Sequence, residues 1–374
     1  MSRAYQFSAV VNPSTEYIEK KWQSLALRSE QAFFLQWPWI GNWLSIFQPA
    51  RYYVVEATCK TELVGLAILV EHIEWRHGFI RARQLCLHRT GIAKNDEIWI
   101  EYNDFLLDKS HEQAVRSQMF RYICDNLAFD ELVFGATDNR LIADLAQNCK
   151  LMRADIWQAK AYCVKFHDAP SDSFDSYLSA NSRYQIKRSL KIYPNYQLQV
   201  ANDGVEAVQW LDDIAQLHRQ RWPKSGFLIA EFREFHNRML SKGIADGTVQ
   251  LIKITLDATT RVYLYNFIHA GEVNFYLSAI AEQDSSIAGN NKAKPGLAAH
   301  YLAIEHYKKQ GYMSYDFMGG DARYKSSFAN EISDLCIAKF QRPLLVLRLE
   351  QWLKQLKQQL YKWRHKSKSA ETLP

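Results

Sequence analysis

Two successive stretches of this 374-residue chain run through one order of signals: helix, helix, β-hairpin, strand, helix, strand. A repeated order constrains architecture more than any single segment, because each copy must bury the same faces. In the first copy, residues 14–48 read as helical. Tyr17, Trp22 and Leu25 lie at helical spacing, and Pro38 and Pro49 break the pattern. Residues 51–75 are rich in β-formers around a turn at 60–62 and read as a hairpin. Residues 97–107 read as a strand, 110–127 as a helix, 131–134 as a strand, 139–148 as a helix and 161–166 as a strand. The polar stretch 167–173, which holds Pro170, is expected to divide the copies.

The second copy opens with helices over 174–190, 204–220 and 229–243, then three strands over 248–256, 262–269 and 273–280. A polar loop, 282–294, leads to a helix that begins at Pro295 and ends with Lys308, Lys309 and Gly311. Strands over 313–318 and 332–340 and a terminal helix over 344–366 complete the chain. Each copy also carries a Tyr beside Asp-Phe, at 102–105 and 315–317. The expected division is 1–167, 173–342 and a tail, 343–374.

With 48% hydrophobic and 23% charged residues, the chain has material for a sizeable core, which excludes disordered, collagen-like and disulfide-scaffold classes. No two of the six cysteines are closer than 14 positions, so zinc-finger and CxxC spacings are absent. The eleven histidines show no HxH or HExxH spacing, so no metal is expected. Cys336, in an expected strand, reads as a buried thiol rather than a nucleophile. The first residues lack the apolar core of a secretory leader, and the expectation is a cytoplasmic chain.

The stretch 275–328 carries the chemistry. A helix start leaves backbone N–H groups free beside partial positive charge, and Gly296 lets an anion approach them. Lys292 and Lys294 add cationic charge just before it. Further on, Tyr315-Asp316-Phe317-Met318-Gly319-Gly320-Asp321 runs a strand into a Gly-Gly turn, followed by Tyr324 and Lys325.

Residues 173–342 resemble the acetyltransferase domain of the CelD-like family linked to cellulose and exopolysaccharide synthesis, within the GNAT superfamily. They are also similar to the Fem-type aminoacyltransferases, which carry two GNAT domains. The matching residues are His218-Arg219-Gln220-Arg221-Trp222, Phe235-His236, Phe275-Tyr276-Leu277-Ser278, Pro295-Gly296-Leu297, Gly311 and the Tyr315–Asp321 run with Tyr324-Lys325. Arg183, Lys187 and Arg188 resemble the basic helix that opens the domain. The resemblance implies an α/β fold of two tandem GNAT-like domains, each a mixed, mostly antiparallel sheet flanked by helices, with a basic C-terminal helix. It implies acyl transfer from acetyl-CoA or another acyl-CoA to an amine, such as an amino sugar, without a metal. Lys294, Gly296, Leu297 and Ser278 would hold the donor. Asp316 would act as general base, Tyr324 as proton donor and Lys325 at the oxyanion or a phosphate. Arg183, Arg188, His218, Trp222 and Asp321 would meet the acceptor. The usual Arg/Gln-x-x-Gly-x-Gly/Ala run before the helix is absent. An aminoacyl-tRNA donor, with the basic helix on RNA phosphates, is therefore an alternative, as is a non-catalytic module of a polysaccharide-synthesis complex.

The net charge of +6 is local. From Arg342 onward there are eight Lys or Arg and two acids, which accounts for all of it. Trp352, Leu353, Leu356, Leu360 and Trp363 lie among them. Such a helix either packs on the body or lies on an anionic membrane surface, near a polysaccharide synthase.

Overall fold

Strands β2 (Tyr52–Cys59) and β3 (Glu62–Arg76) form the hairpin expected at 51–75. Their runs are apolar on both faces because helices cover both. Val54, Leu66 and Ile68 pack on one side with α1 (Thr15–Ala26) and α2 (Trp37–Phe47). Val55, Ala57 and Leu69 pack on the other against α3 (Glu112–Asn126). The computed structural model describes residues 4–30, 32–143, 145, 149–166, 174–257, 260–281 and 294–353.

All thirteen described strands join one sheet, in the order β1-β2-β3-β4-β6-β13-β7-β12-β11-β10-β9-β8, with β5 on β3. Beside the hairpin lie β1 (Tyr5–Val11) and β4 (Ile80–Leu87). β5 is Leu106–Leu107, β6 is Glu131–Asp138 and β7 is Met152–Lys165. The second half holds β8 (Gln197–Val200), β9 (Val249–Thr255), β10 (Arg261–His269), β11 (Glu272–Ala281), β12 (Ser314–Gly319) and β13 (Glu331–Gln341). Only β4 with β6 and β11 with β12 run parallel among the described pairs. The order is symmetric about the β13–β7 pair, and it crosses the halves over. β13, from the end of the chain, lies against β6, and β7 lies against β12. The stretch 167–173 lies outside the described residues. The strands on either side of it are woven into one sheet.

The helices repeat the symmetry. After α4 (Asn139–Ala143), the second half supplies α5 (Ala180–Ile192), α6 (Gly204–Arg221), α7 (Ala230–Asp246), α8 (Pro295–Lys309) and α9 (Arg323–Phe328). α1, α2, α6 and α7 share one continuous core on one face, where Trp39 meets Phe235 at 4.8 Å and Phe267 at 5.4 Å. The opposite face carries two separate cores, one over each half.

Several expectations differ from this arrangement. β1, β4 and β8 lie where no strand was expected, and β7 begins at Met152 rather than 161. β1 and β8 are sheet edges with short alternation, and β4 carries Arg81 and Arg83 among its apolar residues. Of residues 97–107 only Leu106–Leu107 is strand, because the polar groups before it bind elsewhere in the molecule. The likeness of 102–105 to 315–317 is not a structural repeat: the counterpart of β12 is β6. Residues 344–353 are helical; the rest of the basic tail lies outside the described residues. Among the described residues no helix is long and apolar enough to cross a membrane.

Candidate functional site

β11 and β12 pair in parallel from Glu272–Asn274 against Ser314–Asp316, and the pairing goes no further. Next to that point β11 is bulged: Leu277 faces Tyr265 and Phe275 faces Asn266, so Tyr276 is an extra residue. A bulge bends its strand and re-aims the residues beyond it. Past the bulge, Ser278, Ala279 and Ile280 line a cavity of about 550 Å³. Pro295 and Gly296 of α8 form a second wall, and Leu217, His218, Gln220, Arg221 and Trp222 form a third.

Among the described residues no side chain caps the start of α8 at Lys294. The first-turn amides of Gly296 and Leu297 carry the helix's positive end. A methyl group added at Gly296 would lie 3.4 Å from Ile280 Cδ1, against the cavity wall. α5 lies alongside. Ser189 Oγ accepts from Lys294 N at 3.2 Å, and Gln185 Oε1 accepts from Lys294 Nζ at 2.6 Å. Lys292 lies outside the described residues. Arg188, next to Ser189, has a buried Nε without a hydrogen-bond partner. Its guanidinium lies 5.7 Å from the Tyr184 ring centre. Arg183 instead donates to Asp175 O at 3.1 Å. The Leu297 side chain packs into the core beneath the helix.

His218 stands at the end of α6, with Nδ1 2.8 Å from Ser225 Oγ and its ring 5.6 Å from that of Phe227. Burial, and then the Arg221 charge, hold its pKa below the ordinary imidazole value. It is thus neutral at pH 7. Trp222 stands half-exposed on the rim, with the Arg221 guanidinium 5.5 Å from its ring centre.

Asp316, Tyr324, Lys325 and Asp321 do not line this cavity. Asp316 accepts from Tyr102 OH at 2.6 Å and Met318 N at 2.7 Å, and burial pushes its pKa up to about 6. It borders a separate cavity of about 540 Å³ between the halves, with Tyr102, Cys163 and Lys165. Tyr324 stacks on His300, ring centres 5.1 Å apart, and burial pushes its phenol to about 12. Lys325 is buried and donates to Phe317 O at 2.8 Å and Gly319 O at 2.6 Å, closing the end of β12. Burial lowers its pKa. Asp321 accepts from Lys160 N at 3.3 Å beside a third cavity.

Sequence reasoning missed Ser225 and Glu101. Glu101, from the first half, accepts from Gly319 N and from Trp99 Nε1, each at 2.7 Å. Burial pushes its pKa up to about 7 against those bonds. A methyl group at Gly319 would lie 3.3 Å from Glu101 Oε1 and 3.1 Å from the Trp157 ring, so the glycine admits this contact between halves. The available signal was a carboxylate between Ile100 and Tyr102 in an otherwise strand-like run. Among the described residues no group of three His, Cys, Asp or Glu could hold a metal ion.

Residues 178–326 match the acetyltransferase (GNAT) domain family. Among solved structures, FemX is similar, with a TM-score of 0.54 at 9% identity over 88% of this chain and 96% of that one. The C-terminal DUF2156 domain named for a lysylphosphatidylglycerol synthetase, from Agrobacterium fabrum, gives 0.52 at 9% identity over 88% and 93%. A tandem GNAT protein from the clavulanic acid biosynthesis pathway gives 0.44 at 9% over 90% and 98%. Comparison with curated protein sequences gives no match. The fold is thus a mixed α/β fold, one large and mostly antiparallel sheet flanked by helices, in which residues 178–326 match a GNAT acetyltransferase domain.

Proposed function

We propose that this chain transfers an acyl group from a coenzyme A thioester to an amine. The observation that carries the reading is a cavity of about 550 Å³ that joins the start of α8 to His218. The amides of Gly296 and Leu297 are the groups for the donor's phosphates, and Arg188, on α5 and outside the residues lining the cavity, is the cation proposed to reach them. The thioester supplies an activated carbonyl. With a proton on Nδ1 shared with Ser225, His218 Nε2 takes the proton of the incoming ammonium group. The amine nitrogen bonds to the carbonyl carbon, the sulfur leaves with the electron pair of the broken C–S bond, and the second proton of the nitrogen passes to the departing thiolate, giving the amide and the free thiol. An N–H freed by the bulge at Tyr276 is the donor proposed for the oxyanion. An amino sugar is the proposed acceptor class, with Trp222 as the flat surface for its ring.

Calorimetric titration with acetyl-CoA, followed by mass spectrometry of amine acceptors incubated with the chain, tests this. Acetyl-CoA is expected to bind, about tenfold more weakly to Arg188→Ala, as expected for one lost charged contact. Absence of acetyl-CoA binding, with aminoacyl-tRNA consumed instead, overturns it.

A further inference from the structure

The helix over 344–353 is anchored by one face only. Leu347 and Glu350 are buried, and Glu350 Oε2 pairs with Arg76 at 3.2 Å while Oε1 lies 3.6 Å from His77. Those partners belong to the tip of the β3–β4 hairpin, so helix and tip form one surface. The other face of the helix is apolar and open: Leu345 is 84% exposed and Trp352 57%, with Leu349 and Leu353 beside them. Residues 345, 349 and 352 follow helical spacing and share that face. The hairpin tip adds Phe79, 74% exposed, and Trp75, 61% exposed. Large aromatics at a hairpin tip next to an apolar helix face are far from the scattered single exposures of an ordinary surface.

Charge names the occupant. The chain that continues directly from this helix, residues 354–374, carries six Lys or Arg against one Glu. The chain before Arg342, by contrast, sums to zero. A protein partner with an apolar groove would have no need of such a run. An anionic lipid surface takes both parts: rings and leucines enter the headgroup boundary, and lysines and arginines meet lipid phosphates.

We infer that helix 344–353 and the β3–β4 tip together form a docking face for an anionic lipid bilayer, and that the basic tail reinforces it. This holds whatever the chain acylates. The test is co-sedimentation of the full chain with vesicles of equal parts phosphatidylcholine and phosphatidylglycerol, and with vesicles of phosphatidylcholine alone. The chain is expected to pellet with the first, not the second, and to be released by high salt. Phe79→Ser and Leu345→Ser are each expected to lower partition about tenfold, the effect of one lost buried side chain. Both positions are exposed, so melting temperature and acyl transfer to a soluble amine should not change. No pelleting with the anionic vesicles overturns the proposal. So does pelleting that both substitutions leave intact, or a dimer in sedimentation velocity that they abolish without any vesicle binding.

Discussion

The sheet opens at two equivalent places, and the two halves use the opening differently. In the first half, β4 and β6 pair from Gln84–Cys86 against Glu131–Val133 and then part. Asn103 bridges the gap between them. Its backbone N–H donates to Ala136 O at 2.8 Å, its Nδ2 to Leu87 O at 2.9 Å, and its Oδ1 lies 2.8 Å from His88 Nδ1. A Cβ at Gly135 would lie 2.6 Å from Asn103 Nδ2, so that glycine makes room for the bridge. Asp104 and Arg116 close the region below with a buried ion pair at 2.7 Å. In the second half, β11 leaves the β12 ladder beside a cavity, under a helix start that no described side chain caps and a neutral histidine. One architecture thus supplies a self-satisfied polar plug on one side and vacant polar capacity on the other. Polar groups already paired within the protein cannot be offered to a ligand.

The largest expected effect tests the second half. His218→Ala should lower kcat by about 10²–10⁴-fold, the range for a lost general base, with acetyl-CoA affinity unchanged. Because burial lowers the His218 pKa, kcat/KM should rise with pH through a midpoint below 6.5. Steady-state kinetics across pH check both. An equal loss in Asn103→Ala would break the distinction between the halves.

That substitution probes the first half in its own terms. Asn103→Ala leaves Leu87 O and His88 without their side-chain partner in a buried place. Stability should fall by about 2–3 kcal/mol by urea unfolding, while turnover per folded molecule holds.

How much of this contrast was legible in the sequence depends on the kind of signal. Hairpins and amphipathic helices were, because they have local periods: β2–β3, α6 and α8 lie where 51–75, 204–220 and Pro295 placed them, whereas the strands β1, β4 and β8 went unseen. The α8 start could be read for the same reason, whereas Ser278, which lines the cavity beside it, was named only through the family resemblance. What a strand pairs with has no local period. The exchange of β7 and β13 between halves, and the use of 99–103 to reach Gly319, Asp316 and both parted strands, are tertiary facts. Lys325 shows the limit. A lysine after a Gly-Gly turn suits a phosphate, yet its ammonium is spent on the carbonyls of Phe317 and Gly319.

The smallest expected effect compares two buried histidines. His88 is bonded at both nitrogens, to Asn103 Oδ1 and to the Ile68 N–H at 3.2 Å, and burial lowers its pKa to about 4. His236 lies among Phe227, Phe232, Tyr265 and Tyr276, with Nδ1 3.3 Å from Tyr265 OH and Nε2 unpartnered, and burial lowers its pKa to about 3. Below pH 6.5 the unfolded chain binds a proton at residue 236 that the folded chain refuses down to about pH 3. That residue alone therefore costs stability as pH falls through this window, at about 1.4 kcal/mol per pH unit. His236→Phe removes the proton and the orphaned nitrogen while keeping a ring in an aromatic box. The Tyr265 hydroxyl loses its partner, which offsets removal of the orphaned nitrogen, so stability at pH 7 should change by less than about 1 kcal/mol while the acid limb of urea unfolding flattens by one proton. His88→Phe should instead cost about as much as Asn103→Ala, since it strands the Ile68 N–H and the Asn103 oxygen. Matching effects at the two positions would show that the core of the second half is as internally satisfied as that of the first, and would confine the contrast between the halves to the cavity itself.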